Sequence, residues 1–481
     1  MASVVSEVPG LLAGGVLRSP DSQVLIPVVN PATEDVIGHV ADASAADVDA
    51  VVGEARRAFS NSGWAQLSYA ERARHLDALA RTFDTYRDAL AAAVTDQNGF
   101  PIGLSTWVNT MAPQAVYDTF ARMGAQFVDE EPREGYDGTT TIVAHQPLGV
   151  AGFILPWNAP HLLLAFKMAP ALLAGNTVVF KAAPETSLDL PIFAEAVAAA
   201  GIPPGVINFI TGGRDAGERL VRHPGIAKVG FTGSTEGGRA VAAACGQELK
   251  AVTLELGGKS AAIVCEDADL DDFTSQLPMS LLPATGQVCY ATTRVLAPRS
   301  RYDEVVDAVS SALSAIPVGD PHDPESVWGP IVTARQRDRV QGYIDAGVLE
   351  GAKLVTGGGR PPALPTGFYI EPTVFRDVDN AMTIAREEIF GPVVCVIPYD
   401  DERHAIEIAN DSDFGLGGTV HTADHEHGLD IARQIDTGSI GVNRYGVDYN
   451  APYGGFKHSG VGRELGPEAV RSYQQVKSIY A

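Results

Sequence analysis

Between Asn176 and Leu256 the chain alternates apolar β-runs with helical stretches, and no other feature of the sequence restricts the fold as strongly. Residues 177–181 (TVVFK) read as a buried strand. Residues 190–200 read as a helix that ends at Gly201, ahead of Pro203 and Pro204. Residues 206–210, 228–231 and 251–256 read as further strands, with Leu220 and Val221 in a short helix and 235–245 in a longer one. Strands separated by helices require right-handed crossovers, so this region predicts a parallel sheet. A second alternation follows Gly258: strand 261–264, a helix near 271–282, strand 294–296, a helix from Tyr302, and strands near Val374 and Val393. It predicts a second α/β domain, with Gly257-Gly258 as a hinge between the two. Before these regions, 48–92 reads as helices and 142–155 as strands around a turn at 146–149.

A chain of 481 residues is too long for one hydrophobic core, which agrees with two or more domains. Lys and Arg total 35 against 59 Asp and Glu, a net charge of −24. That excess argues against nucleic-acid and anionic-membrane partners, which need positive charge. A small anionic cofactor stays compatible, because helix-start amides bind phosphate locally. The apolar run 162–174 is broken by Lys167 and Pro170, and nothing approaches a bilayer span. Residues 1–10 lack a basic start followed by an apolar stretch, so no signal peptide is expected. Cys245, Cys265, Cys289 and Cys395 have neither metal-ligand spacing nor the density of a disulfide framework. Reduced thiols, no metal site and a cytoplasmic location are the expectation.

Six segments carry candidate chemistry. In Gly286-Gln287-Val288-Cys289, the glycine lets backbone approach a ligand, and an amide-rich turn ahead of a helix would lower the thiol pKa. A packed, inert thiol is the plainer alternative. In Thr253-Leu254-Glu255-Leu256-Gly257-Gly258, a carboxylate in an apolar strand suits general-base work, unless it pairs with a Lys or Arg. In Leu155-Pro156-Trp157-Asn158, the amide is either an oxyanion donor or a turn former. Phe231-Thr232-Gly233-Ser234-Thr235-Glu236-Gly237-Gly238 follows a strand and opens a helix, which suits a pyrophosphate or a simple helix cap. Glu388-Ile389-Phe390-Gly391-Pro392 and the glycine-dense run from Pro452 to Glu464 complete the set; the latter reads as backbone packed tightly against something, or as a structural loop.

These six segments, in this order, resemble the aldehyde dehydrogenase superfamily, from Asn30-Pro31-Ala32-Thr33 to the end of the chain. The resemblance implies a Rossmann-like cofactor domain (1–125 and 148–255), a second α/β catalytic domain (256–458) and a small protruding β arm for oligomerisation (126–147 and 459–481). It implies that Cys289 is the nucleophile, that Asn158 and the Cys289 N–H form the oxyanion hole, and that Glu255 activates the deacylating water. Lys167 and Glu464 match residues of a proton path. Ile154, Pro156, Trp157, Lys181, Pro184, Gly213, Phe231, Gly233, Ser234, Leu256, Glu388 and Phe390 match cofactor-binding positions.

The implied reaction oxidises an aldehyde to the acid with NAD, or NADP, through a cysteine thioester that water hydrolyses. A CoA-acylating enzyme would pass the thioester to a thiol instead and would not need Glu255. A non-catalytic relative would not be expected to keep both Cys289 and Glu255. The chain departs from the family pattern at Ala284, where Asn is common, at Tyr290, and at Lys181-Ala182-Ala183-Pro184, where Lys-Pro-Ser-Glu is common. Without that Glu, rejection of a 2′-phosphate is weakened, and Glu185 is expected to point elsewhere. Ala159, Leu162, Leu163, Phe166, Tyr290 and Tyr445, with the loop 444–449, are expected to line a roomy apolar funnel for a medium or large uncharged aldehyde. The alternating end, 473–480, and the strand-like 139–143 predict an arm that makes a homodimer or homotetramer.

Overall fold

The structure, a computed structural model, describes residues 10–481. The reading of residues 1–10 as lacking a signal peptide therefore lies, Gly10 apart, outside the described residues. Strands β1 (Leu11–Ala13) and β2 (Val16–Arg18) come first, then a separate hairpin of β3 (Leu25–Val29) and β4 (Val36–Ala41), then β5 (Glu130–Glu134) and β6 (Thr140–Pro147). The crossover region follows as β7 (Val150–Ile154), β8 (Thr177–Lys181), β9 (Ile207–Ile210), β10 (Lys228–Thr232) and β11 (Ala251–Glu255). In the first sheet the order runs β2-β1-β9-β8-β7-β10-β11, and β7 to β11 are all parallel.

Both faces of this sheet are covered, which is why β8 can be apolar without alternation. Val178 and Phe180 pack with Phe153 beneath α2 (Tyr69–Asn98), α4 (Ala112–Met123), α5 (Pro160–Leu173) and α6 (Leu190–Ala199). Val179 points the other way, with Val150 and Val229, under α1 (Ala45–Asn61), α7 (Arg214–Arg222) and α8 (Thr235–Gln247). Between α2 and α4 the chain makes the short α3 (Ile102–Thr106) and a π-helical turn, Trp107–Met111. The start of α2 is fixed by the Ser68 and Glu71 capping box, and Gly99 ends it with φ +74°. The apolar run 162–174 becomes α5, which is buried almost throughout. Among the described residues no helix is long and apolar enough to cross a membrane.

The second sheet contains β12 (Ala261–Val264), β13 (Arg294–Pro298), β14 (Lys353–Thr356), β15 (Thr373–Arg376) and β16 (Val393–Tyr399). After a short β17 (Phe414–Gly415), β18 (Gly418–His421) and β19 (Gly441–Val442) complete it in the order β14-β15-β16-β13-β12-β18-β19, parallel except at β14. Helices α9 (Leu270–Ser275), α10 (Tyr302–Ser314) and α11 (Ala334–Leu349) cover it. The short β20 (Phe456–Lys457) pairs with β17.

The arm is a three-stranded antiparallel sheet in which β6 lies between β5 and the last strand, β22 (Gln474–Tyr480). Its second boundary differs from the expected 459–481. β21 (Gly460–Val461) pairs antiparallel with β11 and belongs to the first sheet. The helix Gly466–Ser472 buries Ala469 and Val470 in the first domain's core. Only the segment after Ser472 joins the arm, because the glycine-dense run is held by β11.

Phe153 is fully buried in β7, edge-on to Tyr473 with ring centroids 6.1 Å apart, in the strand that leads to Asn158. Phe153→Ala should lower stability by about 3–5 kcal/mol through lost burial and a residual cavity. Denaturant unfolding checks this; a loss below about 1 kcal/mol would show that the core refills the space.

Candidate active site

The candidate site lies where the two sheets meet. Residues 155–158 follow β7, Gly233 and Ser234 follow β10, and 256–258 follow β11, so each leaves the carboxyl end of a parallel strand, where open α/β sheets bind ligands. Cys289 and the turn 389–392 come just ahead of β13 and β16, at the opposite end of the second sheet. Together these segments line a cavity of about 180 Å³, with Pro156, Trp157, Asn158, Leu163, Ser234, Leu256, Cys289, Glu388 and Phe390 in its wall.

Cys289 is held by an irregular segment. Ala284, Thr285 and Gly286 all have positive φ, at +55°, +58° and +72°. Gly286 is required there because a Cβ would sit 2.2 Å from the Gly391 carbonyl oxygen. The glycine thus admits another loop of the chain and not a ligand. The expected helix after Cys289 is absent: irregular backbone runs on to β13, so no helix start stabilises the thiolate. Burial pushes the thiol up to about 12, and the Glu388 and Glu255 carboxylates push the same way. The Tyr453 hydroxyl, 4.0 Å from the sulfur, and the Cys289 N–H oppose them.

Asn158 donates from Nδ2 to the Gln287 carbonyl at 3.0 Å, which aims its amide at the cysteine segment. Gln287 is clamped in turn. Its Nε2 donates to the Ala284 and Pro330 carbonyls at 3.2 and 3.3 Å, and its Oε1 accepts from the Val332 N–H at 3.0 Å. Glu255 ends β11 with its carboxylate buried, and neither oxygen has a hydrogen-bond partner among the described residues. The alternative of a Glu paired with Lys or Arg is therefore not what the structure contains. Burial holds this carboxyl well above the ordinary range, and the negative charge of Glu464 adds to it. Lys167, fully buried, donates to Glu464 and, at 2.5 Å, to the Thr232 hydroxyl.

Glu388 accepts the Gly258 N–H at 3.0 Å on Oε1, and burial pushes its carboxyl up to about 7. The glycine pair at the domain junction serves close approach and not hinge freedom. A Cβ on Gly257 would lie 2.5 Å from Glu388 Oε2, and one on Gly258 would lie 2.3 Å from the Cys289 carbonyl oxygen. Phe390 takes φ +61° and stands edge-on to Trp157 at 5.5 Å. Two α11 residues hold this turn: Gln336 donates to the Ile389 and Phe390 carbonyls at 3.1 Å each, and Arg339 to the Glu388 carbonyl at 2.8 Å.

The remaining expected residues divide into two groups. Ser234 caps α8 and accepts the Gly237 N–H at 3.2 Å, while the Gly233 N–H bonds the Glu255 carbonyl at 3.1 Å. The Phe231 ring fills the space beside both glycines. Lys181 lies outside the wall of the Cys289 cavity. Its Nζ donates to the Ala182 and Gly212 carbonyls at 2.9 and 2.8 Å, and burial pushes it down to about 8. The negative charge of Glu185 opposes that shift. Ile154 is half-buried beside Gly217, and the Gly213 N–H is taken by Asp42 at 2.9 Å. Pro184 lines a separate cavity with Glu185, Gln97 and β3. Ala159, Leu162, Phe166 and Tyr290 belong to the core that backs the site. The Tyr290 ring lies against that of Tyr445, centroids 4.8 Å apart and tilted by 31°.

Sequence reasoning missed Gln287, Gln336, Arg339 and Tyr453 as site residues. For Tyr453 a signal existed, since it is the aromatic that opens the glycine-dense run. For Gln336 and Arg339 there was none, because they reach the site from a helix with no local motif.

A thiol, an amide side chain in the same cavity wall and an unpaired buried carboxylate suit nucleophilic addition to a carbonyl followed by hydrolysis. Residues 17–479 match the aldehyde dehydrogenase family. Geranial dehydrogenase of Castellaniella defragrans is 49% identical over 470 residues, spanning 98% of each chain. Mycobacterium tuberculosis aldehyde dehydrogenase complexed with NAD+ superposes with a TM-score of 0.96 at 45% identity, covering 99% of each chain. A mutant of Pseudomonas syringae aldehyde dehydrogenase C, solved with NAD+ and octanal, gives 0.95 at 38% identity over 100% of this chain and 99% of that one.

Gly258→Ala should inactivate the protein, because the Cβ must displace the Cys289 backbone by more than an ångström in a packed junction. We expect at least a ~10²-fold loss of kcat/KM. Near-parental activity in a folded variant would show that the cysteine segment yields freely.

Proposed function

The chain belongs to the aldehyde dehydrogenase family, and we propose that it oxidises a medium or large, uncharged, apolar aldehyde to the carboxylic acid with NAD and water, through a thioester on Cys289. The carrying observation is the buried, unpartnered Glu255 carboxylate, close enough to Cys289 to raise its thiol. A general base for water serves hydrolysis and has no task if CoA takes the acyl group, so the hydrolytic reading is favoured.

The Cys289 thiolate adds to the aldehyde carbon. The resulting oxyanion accepts hydrogen bonds from the Asn158 amide and the Cys289 N–H, each lowering the barrier by about 3–4 kcal/mol. NAD held by Ser234, Glu388 and Phe390 would supply the hydride acceptor for this carbon. Glu255 then takes a proton from water as its oxygen attacks the thioester, and Cys289 departs as thiolate with the acid released. Glu464 and Lys167, bonded to each other beside Glu255, provide the onward path for that proton.

The residues present fit a dinucleotide. The start of α8 at Ser234 offers its first-turn amides to a pyrophosphate, while the glycines there admit the Phe231 ring and the Leu256 side chain. Glu388, bonded to Gly258 through Oε1, keeps Oε2 for a ribose hydroxyl, with Phe390 and Trp157 beside it. Pro184 brings no carboxylate against a 2′-phosphate, so NADP is accepted as the poorer cofactor.

The apolar-aldehyde reading draws on the core residues behind the cavity and on the relatives' own ligands, geranial and octanal. Assembly and location are part of the proposal. The arm ends in β22 with Val476, Ile479 and Tyr480 exposed, an edge that a second copy would cover to give a homodimer or homotetramer. Four unpaired cysteines suit the cytoplasm.

A panel of aldehydes assayed with NAD and with NADP tests substrate and cofactor together; faster turnover of short acidic aldehydes would refute the apolar reading. Cys289→Ser should abolish turnover while cofactor binding persists. Glu255→Gln should release about one NADH per site and then stall, as expected when only deacylation needs the base. The raised Glu255 carboxyl also sets a pH dependence. It is protonated and idle in acid, so turnover should climb with pH along a limb above the ordinary carboxylate range, and Glu255→Gln should erase that limb. An unchanged limb and no burst would make Glu255 structural.

Deleting residues 472–481 strips β22 from β6 and should give monomers or aggregates with poor activity. A fully active truncated protein eluting at the parent's size would end the assembly proposal.

A further inference from the structure

We infer that Tyr453 is a further catalytic residue: its hydroxyl donates the hydrogen bond that stabilises the Cys289 thiolate. The inference rests on the reading of Cys289 as the nucleophile.

The thiolate has a stabilisation problem. Cys289 has no helix start beside it, and the charged groups that face it are the Glu255 and Glu388 carboxylates, both of the wrong sign. The other titratable neighbours are tyrosines: Tyr290 next in sequence, and Tyr445 and Tyr453 from the chain after β19. Of these, the Tyr453 hydroxyl is the one within reach of the sulfur, at 4.0 Å, the outer limit of a sulfur hydrogen bond. Such contacts tighten when the acceptor becomes charged. Tyr453 is suited to donate and not to act as a base, because burial and the neighbouring Cys289, Tyr445 and Glu255 hold its phenol protonated.

The hydroxyl is well placed to hold that direction. Tyr453 and Glu464 exchange backbone hydrogen bonds at 2.6 and 2.7 Å, which fixes the backbone next to the Lys167–Glu464 pair. Its ring packs against Phe166 with centroids 6.1 Å apart. The Tyr445 hydroxyl lies 2.7 Å from Ser439 Oγ, and Ser439 donates to the Leu416 carbonyl at 3.0 Å. Because Ser439 spends its proton on Leu416, its oxygen accepts from Tyr445, which commits the Tyr445 proton away from the sulfur. A neutral thiol accepts the Tyr453 proton weakly; a thiolate accepts it strongly.

Alkylation of Cys289 by iodoacetamide across pH, with the labelled peptide identified by mass spectrometry, reads the thiolate directly. Tyr453→Phe keeps the ring and removes the hydroxyl. It should slow labelling at neutral pH by about 10-fold and move the profile up by about one pH unit, with the aldehyde KM little changed. Tyr445→Phe removes a hydroxyl committed to Ser439 and should label like the parent. A Tyr453→Phe profile that overlays the parent's overturns the inference, as does equal slowing in both variants, which would indicate lost packing. If Cys289→Ser still turns over, the nucleophile reading fails. If Cys289→Ser is dead while Tyr453→Phe labels like the parent, only the role of Tyr453 fails.

Discussion

The site depends on the contact between the turn after β11 and the cysteine segment. At Gly257 and Gly258 the backbone lies so near the Glu388 carboxylate and the Cys289 carbonyl that no side chain fits. The Gly258 N–H bonds Glu388, and this one turn connects the last parallel strand of the first sheet to the first strand of the second. The domain junction is therefore also the place where Glu255, Cys289 and Glu388 are set relative to one another. A true hinge at this point would let those distances vary. The structure instead removes freedom there by packing, and Gly286 against Gly391 does the same on the far side.

Close packing also sets the site's electrostatics. Three groups that become anions, the buried Glu255 and the half-buried Cys289 and Glu388, share one neighbourhood, and loss of solvent raises the proton affinity of each. Like charges in a poorly polarisable medium cannot all ionise together. The arrangement favours one anion at a time. Clusters of such perturbed groups in a cavity are what catalytic sites show more often than structural ion pairs do.

The fold was largely legible because its signals are local. The run TVVFK and the strand–helix alternation that follows it mark a crossover sheet without any tertiary knowledge, and the order of six motifs identifies the family. What was not legible depends on contacts between distant segments. The thiol was expected to be helped by a helix start, yet Cys289 is followed by irregular backbone, and its neighbours are carboxylates and tyrosines from other elements. The arm was expected from residue 459, yet β21 pairs with β11 before the chain reaches the arm. Gln287, Gln336 and Arg339 hold the site by reaching carbonyls 43 to 54 residues away, a distance no local pattern reports.

The arm is not independent of the chemistry. Lys228, on β10, is buried and pushed down to about 8, chiefly by that burial, while Glu464 pulls it back up. Its ammonium donates to the Ser472 carbonyl and hydroxyl at 3.1 and 3.0 Å and lies over the Tyr473 ring at 4.5 Å, directly before β22 begins. Asn176 holds the next link, donating to the Tyr473 carbonyl at 3.0 Å. Glu464 thus stands between two lysines, Lys167 on the side of the site and Lys228 on the side of the arm. The carboxylate that raises Glu255 therefore shares Lys228 with the residues that lead into β22.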